Sequence, residues 1–505
     1  MGVKITMERK LLLVHEHDDA AVALTALRRG EVCEVGGRII TLLDDIPFGH
    51  KVALRDISKG ANVVKYGNPL GHATEDILTG QHIHTHNLAT NLSGHVSYSY
   101  HPDESILAHF QTVSEQASFR GYPRSDGRVG TRNELWIIPT VGCVNRTAQR
   151  LAQAAKLRFG DRFDDVCAFT HNMGCSQLGS DQITTMKLLA GLIHNPNAGG
   201  VLVLSLGCEN NNLDVFRPYL GSVDESRVKF LVTQGVGDEY EAGMALLEEI
   251  DRAVGGMKRQ AVSASKLVIG MKCGGSDAFS GLTANPLCGH LCDRVVHAGG
   301  SCILTEVPEM FGAEHLLMAR CADRGVFEDT VRLINDYKDY FTRHGQVIYE
   351  NPSPGNKAGG ISTLEEKSLG CVQKGGSAPV AGVLGYGEPL SAPGLNLLTG
   401  SGNDQVSCTN LTCSGATLLC FTTGRGNPFG APVPTVKISS NTQLSERKPH
   451  WIDFNAGRLL DGASWKDLDE EFFRYILAVA SGEQKTCNEK NEYKEISVFR
   501  DGVIL

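Results

Sequence analysis

The chain has 505 residues, more than one ordinary hydrophobic core can organise, so two to four domains are expected. A formal net charge of −9, the lack of a dense Lys/Arg run and the lack of a bilayer-length apolar stretch argue against nucleic acid and membrane partners and favour a small molecule. The 15 cysteines form no regular framework and no secretory leader pattern opens the chain, which predicts free thiols or metal ligands in a reducing cytoplasm.

The first hundred residues consist of short alternating segments separated by turn residues, which predicts a small all-β module over residues 1–97. Within it, "GQHIHTHN" places histidines at every second position, and on a strand they would share one face. Because same-face neighbours lie about 7 Å apart, two imidazoles can converge on one cation. We therefore predict His84 and His86 as metal ligands or as acid and base groups, the alternative being an ordinary polar strand face.

Two other histidine motifs in this module are weaker candidates. "HEHDD" has the same spacing at His15 and His17, but it precedes "AAVALTALRRG", so Asp18 or Asp19 is interpreted as the N-cap of a helix. "GHK", with His50, carries the least signal by pattern.

Residues 98–118 lack a clear period and are predicted to be a linker. Beyond them a pattern of apolar strand, glycine-rich loop and helix repeats, which predicts two α/β domains with largely parallel sheets, at 119–260 and 261–505. In open α/β sheets the ligand lies beyond the carboxyl ends of the strands. Polar and cysteine residues collect there, among them Cys143, Cys175, Cys208, Glu209, Cys273, Asp277, Glu306 and Arg425.

Cysteines at these strand ends allow an iron–sulfur alternative. Cys143, Cys175 and Cys273 could hold a cluster, as in cluster-dependent hydro-lyases. No compact C-x-x-C spacing supports this set, and an ordinary buried cysteine is the commoner outcome at each position.

Two glycine-rich loops favour binding of an organic acid over binding of a nucleotide. "TGRGNPFG" has a misplaced third glycine and no helix after it, so Arg425 is predicted to grip a carboxylate in bidentate fashion. "NPSPGNKAGG" is predicted to present Asn356 and Lys357, the alternative being a plain surface turn.

Long strings across the whole chain resemble the altronate/galactarate dehydratase family. They include "GHKVAL", "GANVVKYG", "HIHTHN", "LWIIPTVGCVN", "GCSQLG", "SLGCENN", "CGGSDAFSGLTANP", "LTEVPEMFGAEHLL", "NPSPGNKAGGISTLEEKSLGC", "FTTGRGNPFG" and "HWIDFNAG". "HTHN" and "LWIIPTVGCVN" resemble the altronate branch more than the galactarate branch. The chain departs from the family pattern in "AAVAL" after Asp19 and in Ser205 at the start of "SLGCENN".

The resemblance implies an N-terminal SAF-type β-clip module, α/β domains and a cytoplasmic hydro-lyase that depends on Fe2+, with Mn2+ as the other metal. Its reaction would convert D-altronate to 2-keto-3-deoxy-D-gluconate and water in galacturonate breakdown. The alternatives are a dehydratase of a related sugar acid such as galactarate and a non-catalytic sugar-acid-binding protein. A homo-oligomer is expected, with a dimer favoured.

Dehydration of a 2,3-dihydroxy acid removes a weakly acidic proton from C2 and expels hydroxide from C3, and both steps call for electrophiles. The catalytic residues are predicted to be His84, His86, Lys357 and Asp277. The substrate-binding residues are predicted to be Arg425, Asn356, Glu209 and Glu306. Lys357 serves as base or as carboxylate anchor in this hypothesis, because a lysine desolvated beside cations can lose its proton near neutral pH.

Overall fold

The computed structural model describes residues 10–111 and 115–503. Residues 1–9, 112–114 and 504–505, which belong to the predicted β module, linker and C-terminal domain, lie outside this part of the chain. Within it, no helix has the length and apolar character needed to cross a membrane.

The N-terminal module is all-β over its described residues, as predicted. Its strands are β1 (Leu11–Leu12), β2 (Ala20–Ala23), β3 (Val32–Val35), β4 (Arg38–Thr41), β5 (Lys51–Ala53), β6 (Asn62–Lys65), β7 (Asn68–Ala73), β8 (His82–Ile83) and β9 (Leu88–Ala89). They form antiparallel sheets in the orders β1-β2-β5-β8, β6-β7-β9 and β3-β4. The module has a small core of its own, and a second group that includes Val63 and Leu70 joins the core of the C-terminal domain.

The predicted helix after Asp19 is wrong. Ala20–Ala23 forms β2, which is buried throughout and pairs with strands on both sides. Asp18 accepts the backbone N–H of Gly67, and Asp19 accepts that of Val64, so neither carboxylate caps a helix. Burial between two strands outweighs the helix propensity of alanine in this context.

The histidine segment is also not one strand. Only His82 and Ile83 pair with β5, and the chain then turns. Asn87 closes this turn, because its Oδ1 accepts the N–H of His84 at 3.0 Å and its Nδ2 donates to the carbonyl of His82 at 2.9 Å. The histidines therefore do not form a straight row on one sheet face.

The middle domain follows a helix within the predicted linker, α1 (Glu104–Gln111). Its elements are β10 (Ser118–Pro123), β11 (Val129–Gly130), β12 (Glu134–Pro139), α2 (Asn145–Phe159), β13 (Val166–Ala168), α3 (Gly179–His194), β14 (Ala198–Ser205), α4 (Leu213–Leu220), β15 (Val228–Val232), α5 (Glu239–Val254) and β16 (Gln260–Ser263). The main sheet has the order β13-β12-β14-β15 and is parallel. The predicted boundary after residue 260 falls within β16, which pairs with β10.

The C-terminal domain is built on a seven-stranded parallel sheet of order β19-β20-β18-β17-β21-β22-β23. Its elements are β17 (Val268–Cys273), α6 (Ala284–His297), β18 (Ser301–Leu304), α7 (Glu314–Met318), α8 (Arg324–Arg343), α9 (Pro354–Ala358), α10 (Leu364–Cys371), β19 (Val380–Leu384), β20 (Gly394–Leu398), α11 (Asp404–Cys413), β21 (Leu418–Thr423), β22 (Thr435–Ser439), α12 (Thr442–Arg447), β23 (Phe454–Asn455), α13 (Trp465–Ala480) and α14 (Cys487–Lys490). The prediction of α/β domains with largely parallel sheets is confirmed.

The middle domain rests on the C-terminal domain through α3 and α11. Gly191 in α3 approaches α11 so closely that a Cβ there would lie 2.5 Å from the carbonyl oxygen of Cys413. Apolar residues of both domains form one core cluster across this contact.

Candidate active site

Two buried lysines join the β module to the C-terminal domain. Lys51 Nζ donates to Glu366 Oε2 and Lys65 Nζ donates to Glu366 Oε1, both at 2.8 Å. Lys51 also donates to Ser362 Oγ at 2.7 Å and to the carbonyl of Gly360 at 2.8 Å. Burial lowers the pKa of Lys51 to about 8, although Glu366 opposes this. These bonds fix the histidine turn over the loop that precedes α10.

Four histidines of the module form a cluster at this contact. The ring centroids of His50 and His84 are 4.8 Å apart, and those of His82 and His86 are 5.3 Å apart. Burial is the main cause that lowers the pKa of His82 to about 3 and that of His84 to about 4, and the nearby histidines and Lys51 add to it by disfavouring a further positive charge. Both rings are therefore neutral at pH 7.

The hydrogen bonds favour one tautomer of His84. Its Nδ1 lies 3.0 Å from Ser362 Oγ, which accepts from the ammonium group of Lys51. Because the ammonium group cannot accept, the hydroxyl hydrogen of Ser362 is available to Nδ1, which favours the tautomer that accepts there. In that tautomer the neutral ring carries its proton on Nε2, where it can donate a hydrogen bond.

The proton of His50 follows from the same reasoning. Its Nε2 lies 3.5 Å from the carbonyl oxygen of Ala358, and its Nδ1 lies 2.9 Å from His82 Nε2. A neutral His50 with its proton on Nε2 accepts at Nδ1 from the Nε2–H of His82. Burial lowers the pKa of His50 as well, which favours this neutral pair.

Beside this contact lies a polar pocket of about 220 Å³. It is lined by Phe48 of the module, by Ala358 of α9 and by Arg425 and Arg447 of the C-terminal domain. Two guanidinium groups that line one pocket suit an anionic ligand, because each can bind a carboxylate through two parallel hydrogen bonds.

Asp277 forms the floor of this pocket. Its Oδ1 accepts the hydroxyls of Ser440 at 2.7 Å and Ser280 at 2.9 Å, and its Oδ2 accepts Asn441 Nδ2 at 3.0 Å. Burial raises its pKa, and these hydrogen bonds oppose the rise. A Cβ on Gly424 would lie 2.1 Å from the Asp277 carboxyl carbon, so this position requires glycine. Asp277 is thus held rigidly where a ligand hydroxyl can reach Oδ2.

The "NPSPGNKA" segment forms the short helix α9 at the pocket rim. Asn356 is buried, and its Nδ2 donates to the carbonyl of Ser276 at 2.8 Å. Its Oδ1 accepts the backbone N–H of Ser353 at 3.3 Å in a capping box. Lys357 is half-buried and precedes Ala358, which lines the pocket. Asn356 therefore holds the loop in shape, while Lys357 stays close to the pocket.

A second polar centre lies inside the C-terminal domain. Cys273 Sγ is 3.2 Å from Cys371 Sγ, and Glu309 Oε2 lies 3.3 Å from the first sulfur and 2.9 Å from the second. All three residues are buried, and their donor atoms lie within 4.8 Å of one another. Two sulfurs and a carboxylate oxygen are ligands that suit Fe2+ or Zn2+, so this group could bind a metal.

The charges around this group are balanced. Three buried lysines and three carboxylates surround the two thiols: Lys272, Lys367, Lys374, Glu306, Glu309 and Asp404. Hydrogen bonding with Cys273, together with burial, raises the pKa of Cys371, so the thiol keeps its proton without a metal. A divalent cation that displaces two thiol protons would leave the net charge unchanged, and the donor set therefore fits such an ion.

Glu306 and Glu209 are both predicted to bind substrate, but their carboxylates form ion pairs or hydrogen bonds with other residues of the protein. Glu306 has a left-handed backbone with φ 72° and forms ion pairs with Lys272 and Lys374. Glu209 accepts the hydroxyls of Thr140 and Ser205, each at 2.6 Å, in the middle domain. The structure places neither carboxylate among the residues that line the Arg425 pocket.

The alternative cluster ligands do not form one group. Cys273 has its own buried partners in the C-terminal sheet, whereas Cys143 and Cys175 are exposed in the middle domain. Of the predicted residues, the structure brings together Asp277, Arg425 and the α9 segment, and it docks His84 beside them.

Sequence reasoning gave little weight to His50, noted Glu309 beside Glu306 without giving it a role, and missed Cys371. "GHK" does place His50 next to Lys51, and the lysine anchors the module. The other two lie in "LTEVPE" and "SLGC", both of which carry chemistry-bearing residues at element ends. Their proximity depends on packing between distant segments, which no local spacing reveals.

The fold and the site define a multidomain α/β protein whose small β module closes onto a pocket suited to an organic anion. Three family profiles match it: the altronate/galactarate dehydratase SAF domain at residues 9–91, the D-galactarate dehydratase/altronate hydrolase second domain at 121–254, and the D-galactarate/altronate dehydratase C-terminal domain at 264–504. The chain belongs to the altronate/galactarate dehydratase family, which confirms the resemblance found in the sequence.

Three relatives place the chain within this family. The altronate dehydratase of Bacillus subtilis is 51% identical, over 98% of this chain and 100% of the relative. The altronate dehydratase of Escherichia coli is 50% identical, over 97% and 99%. The galactarate dehydratase (L-threo-forming) of Escherichia coli is 31% identical, over 96% of each chain.

Proposed function

We propose that this protein is a hydro-lyase that converts D-altronate to 2-keto-3-deoxy-D-gluconate and water. The observation that carries the proposal is the identity of 51% and 50% to two altronate dehydratases along nearly the whole chain, against 31% to a galactarate dehydratase. The Arg425 pocket supports it, because its two guanidinium groups suit the carboxylate of a sugar acid.

In this proposal Arg425 and Arg447 bind the substrate carboxylate and orient C2 and C3. Asp277 Oδ2 accepts a substrate hydroxyl. His84 donates a hydrogen bond from Nε2 to the hydroxyl that leaves C3, and this hydroxyl departs as water with the proton that the base takes from C2. Lys357 is the candidate base for the C2 proton, and the enol that results ketonises to the product.

We propose Fe2+ as the metal, with the Cys273–Glu309–Cys371 group as its ligands. When bound, a divalent cation would supply Lewis-acid chemistry, which polarises an oxygen ligand that reaches it. His84 and His86, which the sequence analysis predicts as the metal ligands, are the other candidate set, and Mn2+ is the other candidate ion. A cytoplasmic location and a homodimer also stay predictions.

The test is anaerobic turnover of D-altronate, D-mannonate and galactarate by metal-free protein with added Fe2+, added Mn2+ or chelator. We expect formation of a 2-keto-3-deoxy acid from D-altronate that depends on Fe2+. If galactarate is the only acid converted, the proposed substrate is wrong and the proposed reaction class, a hydro-lyase, is retained. Binding of D-altronate without turnover under any condition would refute the hydro-lyase and support the sugar-acid-binding alternative.

The metal ligands are tested separately by iron content after reconstitution. Glu309→Gln should lose bound iron and His84→Asn should keep it if the buried group is the site. The opposite pattern would assign the metal to the histidines.

A further inference from the structure

Three cysteines of the middle domain are exposed. All 15 cysteines lie in the described part of the chain; Cys143, Cys175 and Cys208 are exposed, Cys167 is half-buried and the others are buried. A free cysteine is ordinarily among the most buried residue types, so three exposed thiols in one domain need an explanation.

All three follow adjacent strands of one parallel sheet. Cys143 comes after β12, Cys175 after β13 and Cys208 after β14, and the sheet order is β13-β12-β14. Carboxyl ends of parallel strands meet at one edge, where ligands of such sheets bind. The topology therefore brings the three cysteines to the same edge.

Hydrogen bonds tie the three loops to one another. Gly142 N–H donates to the carbonyl of Met173 at 3.0 Å, next to Cys143 and close to Cys175. Ser176 N–H donates to Asn210 Oδ1 at 2.9 Å, which links the Cys175 loop to the Cys208 loop. Asn211 N–H donates to the carbonyl of Gly174 at 3.1 Å and repeats that link. The cysteines thus share one continuous rim.

The rim is also conformationally constrained. Ser176 has φ 58°, a left-handed conformation that is strained for a residue other than glycine. A Cβ on Gly174 would lie 2.0 Å from the carbonyl oxygen of Thr140. Glu209 anchors the Cys208 loop, because its carboxylate accepts the backbone N–H of Gly207 at 2.6 Å. Strain of this kind is typical of segments that hold a ligand.

The spacing of the thiols argues against a single ion bound by all three. Among the described residues, Cys273, Glu309 and Cys371 are the group of three whose donor atoms all lie within 4.8 Å, so at least one pair of the exposed sulfurs is farther apart. A tetrahedral ion with metal–sulfur bonds of about 2.3 Å needs sulfurs only about 3.8 Å apart. A cubane with irons at separate corners reaches sulfurs that are more widely spaced.

The local field suits an anionic group. Helices α2, α3 and α4 begin shortly after Cys143, Cys175 and Cys208 respectively. The positive ends of these helix dipoles face the edge of the sheet at which the cysteines lie and favour a negatively charged ligand there.

We propose that Cys143, Cys175 and Cys208 bind a [4Fe–4S] cluster through three thiolates, which leaves the fourth iron for a carboxylate or hydroxyl oxygen of a small acid. The cluster can be transferred to the protein from a synthetic [4Fe–4S] cluster that carries four mercaptoethanol thiolates, and this transfer is a ligand exchange. Each cysteine gives its proton to a departing thiolate, three mercaptoethanol molecules leave, and no iron changes oxidation state. The proposal does not depend on the altronate reaction or on the buried Cys273–Glu309–Cys371 group.

The test uses the full chain, purified without oxygen, mixed with the mercaptoethanol-bound cluster and desalted. Visible absorbance and the iron and sulfide contents per chain are measured for the wild type and for C143A, C175A and C208A. The matched control is C167A, since Cys167 lies in β13 of the same sheet away from the rim.

We expect about four irons and four sulfides per chain in the wild type and in the control, and less than a quarter of that in each of the other three variants. Cluster retention in all three variants would overturn the proposal. One iron or zinc per chain without sulfide would overturn it as well and would assign a single ion to the rim. Altronate turnover measured in parallel keeps this outcome separate from that of the proposed function.

Discussion

Replacing Glu366 by glutamine should destabilise the contact between the β module and the C-terminal domain. Lys51 and Lys65 are both fully buried and both donate to this carboxylate. The amide has no charge and leaves two ammonium groups in an apolar interior. Removing one partner of a buried ion pair costs about 3–5 kcal/mol.

The pKa of Glu366 leads to the same magnitude. Burial alone would raise it, but Lys51 and Lys65 lower it from 4.5 to about 2. At about 1.4 kcal/mol per pH unit, this difference corresponds to about 3 kcal/mol. Because the folded-state pKa is depressed, this stability is fully present above pH 4.5 and is lost as the pH falls toward 2.

Native-state hydrogen exchange on peptides that cover β5 and β6 measures the free energy of local opening. The matched control is Glu471→Gln, which removes the same charge from an exposed ion pair with Arg458. We expect the control to change the opening free energy by less than about 1 kcal/mol. The reasoning is refuted if Glu366→Gln costs no more than the control at pH 7, or if the difference between wild type and variant does not shrink between pH 4.5 and 2.

His84→Asn should lower altronate turnover about 100-fold or more in a folded protein, because it removes the Nε2 donor, whereas the exposed His17→Asn should retain wild-type rates in the same steady-state assay. Arg425→Lys should raise KM for altronate about tenfold or more, since an ammonium group cannot bind a carboxylate in bidentate fashion; an unchanged KM would remove Arg425 from the substrate site. Glu309→Gln should weaken Fe2+ binding about tenfold or more in a competition titration with a chelator, and equal affinity would exclude the buried group as the metal site.

The sequence by itself determined the α/β architecture and the sheet edges at which the polar and cysteine residues collect. Runs such as "VLVLSLG" are apolar on both faces, which only a strand in a covered parallel sheet tolerates, so the α/β domains were predictable. Glycine and polar residues directly after these runs marked the carboxyl ends of the strands, and Asp277 and Arg425 were found from this signal. Such features are local, because backbone geometry and side-chain periodicity act within a few residues.

Tertiary structure alone decided which distant segments of the chain come into contact. The histidine segment is a turn because Asn87 bonds across it, and His50 joins it from another strand. Lys51 and Glu366 are 315 positions apart in the chain, and their contact sets the position of the module. The group of Cys273, Glu309 and Cys371 likewise combines three separate segments. Contacts of this kind arise from burial and charge pairing between distant surfaces, and these energies have no counterpart in the spacing of residues along the chain.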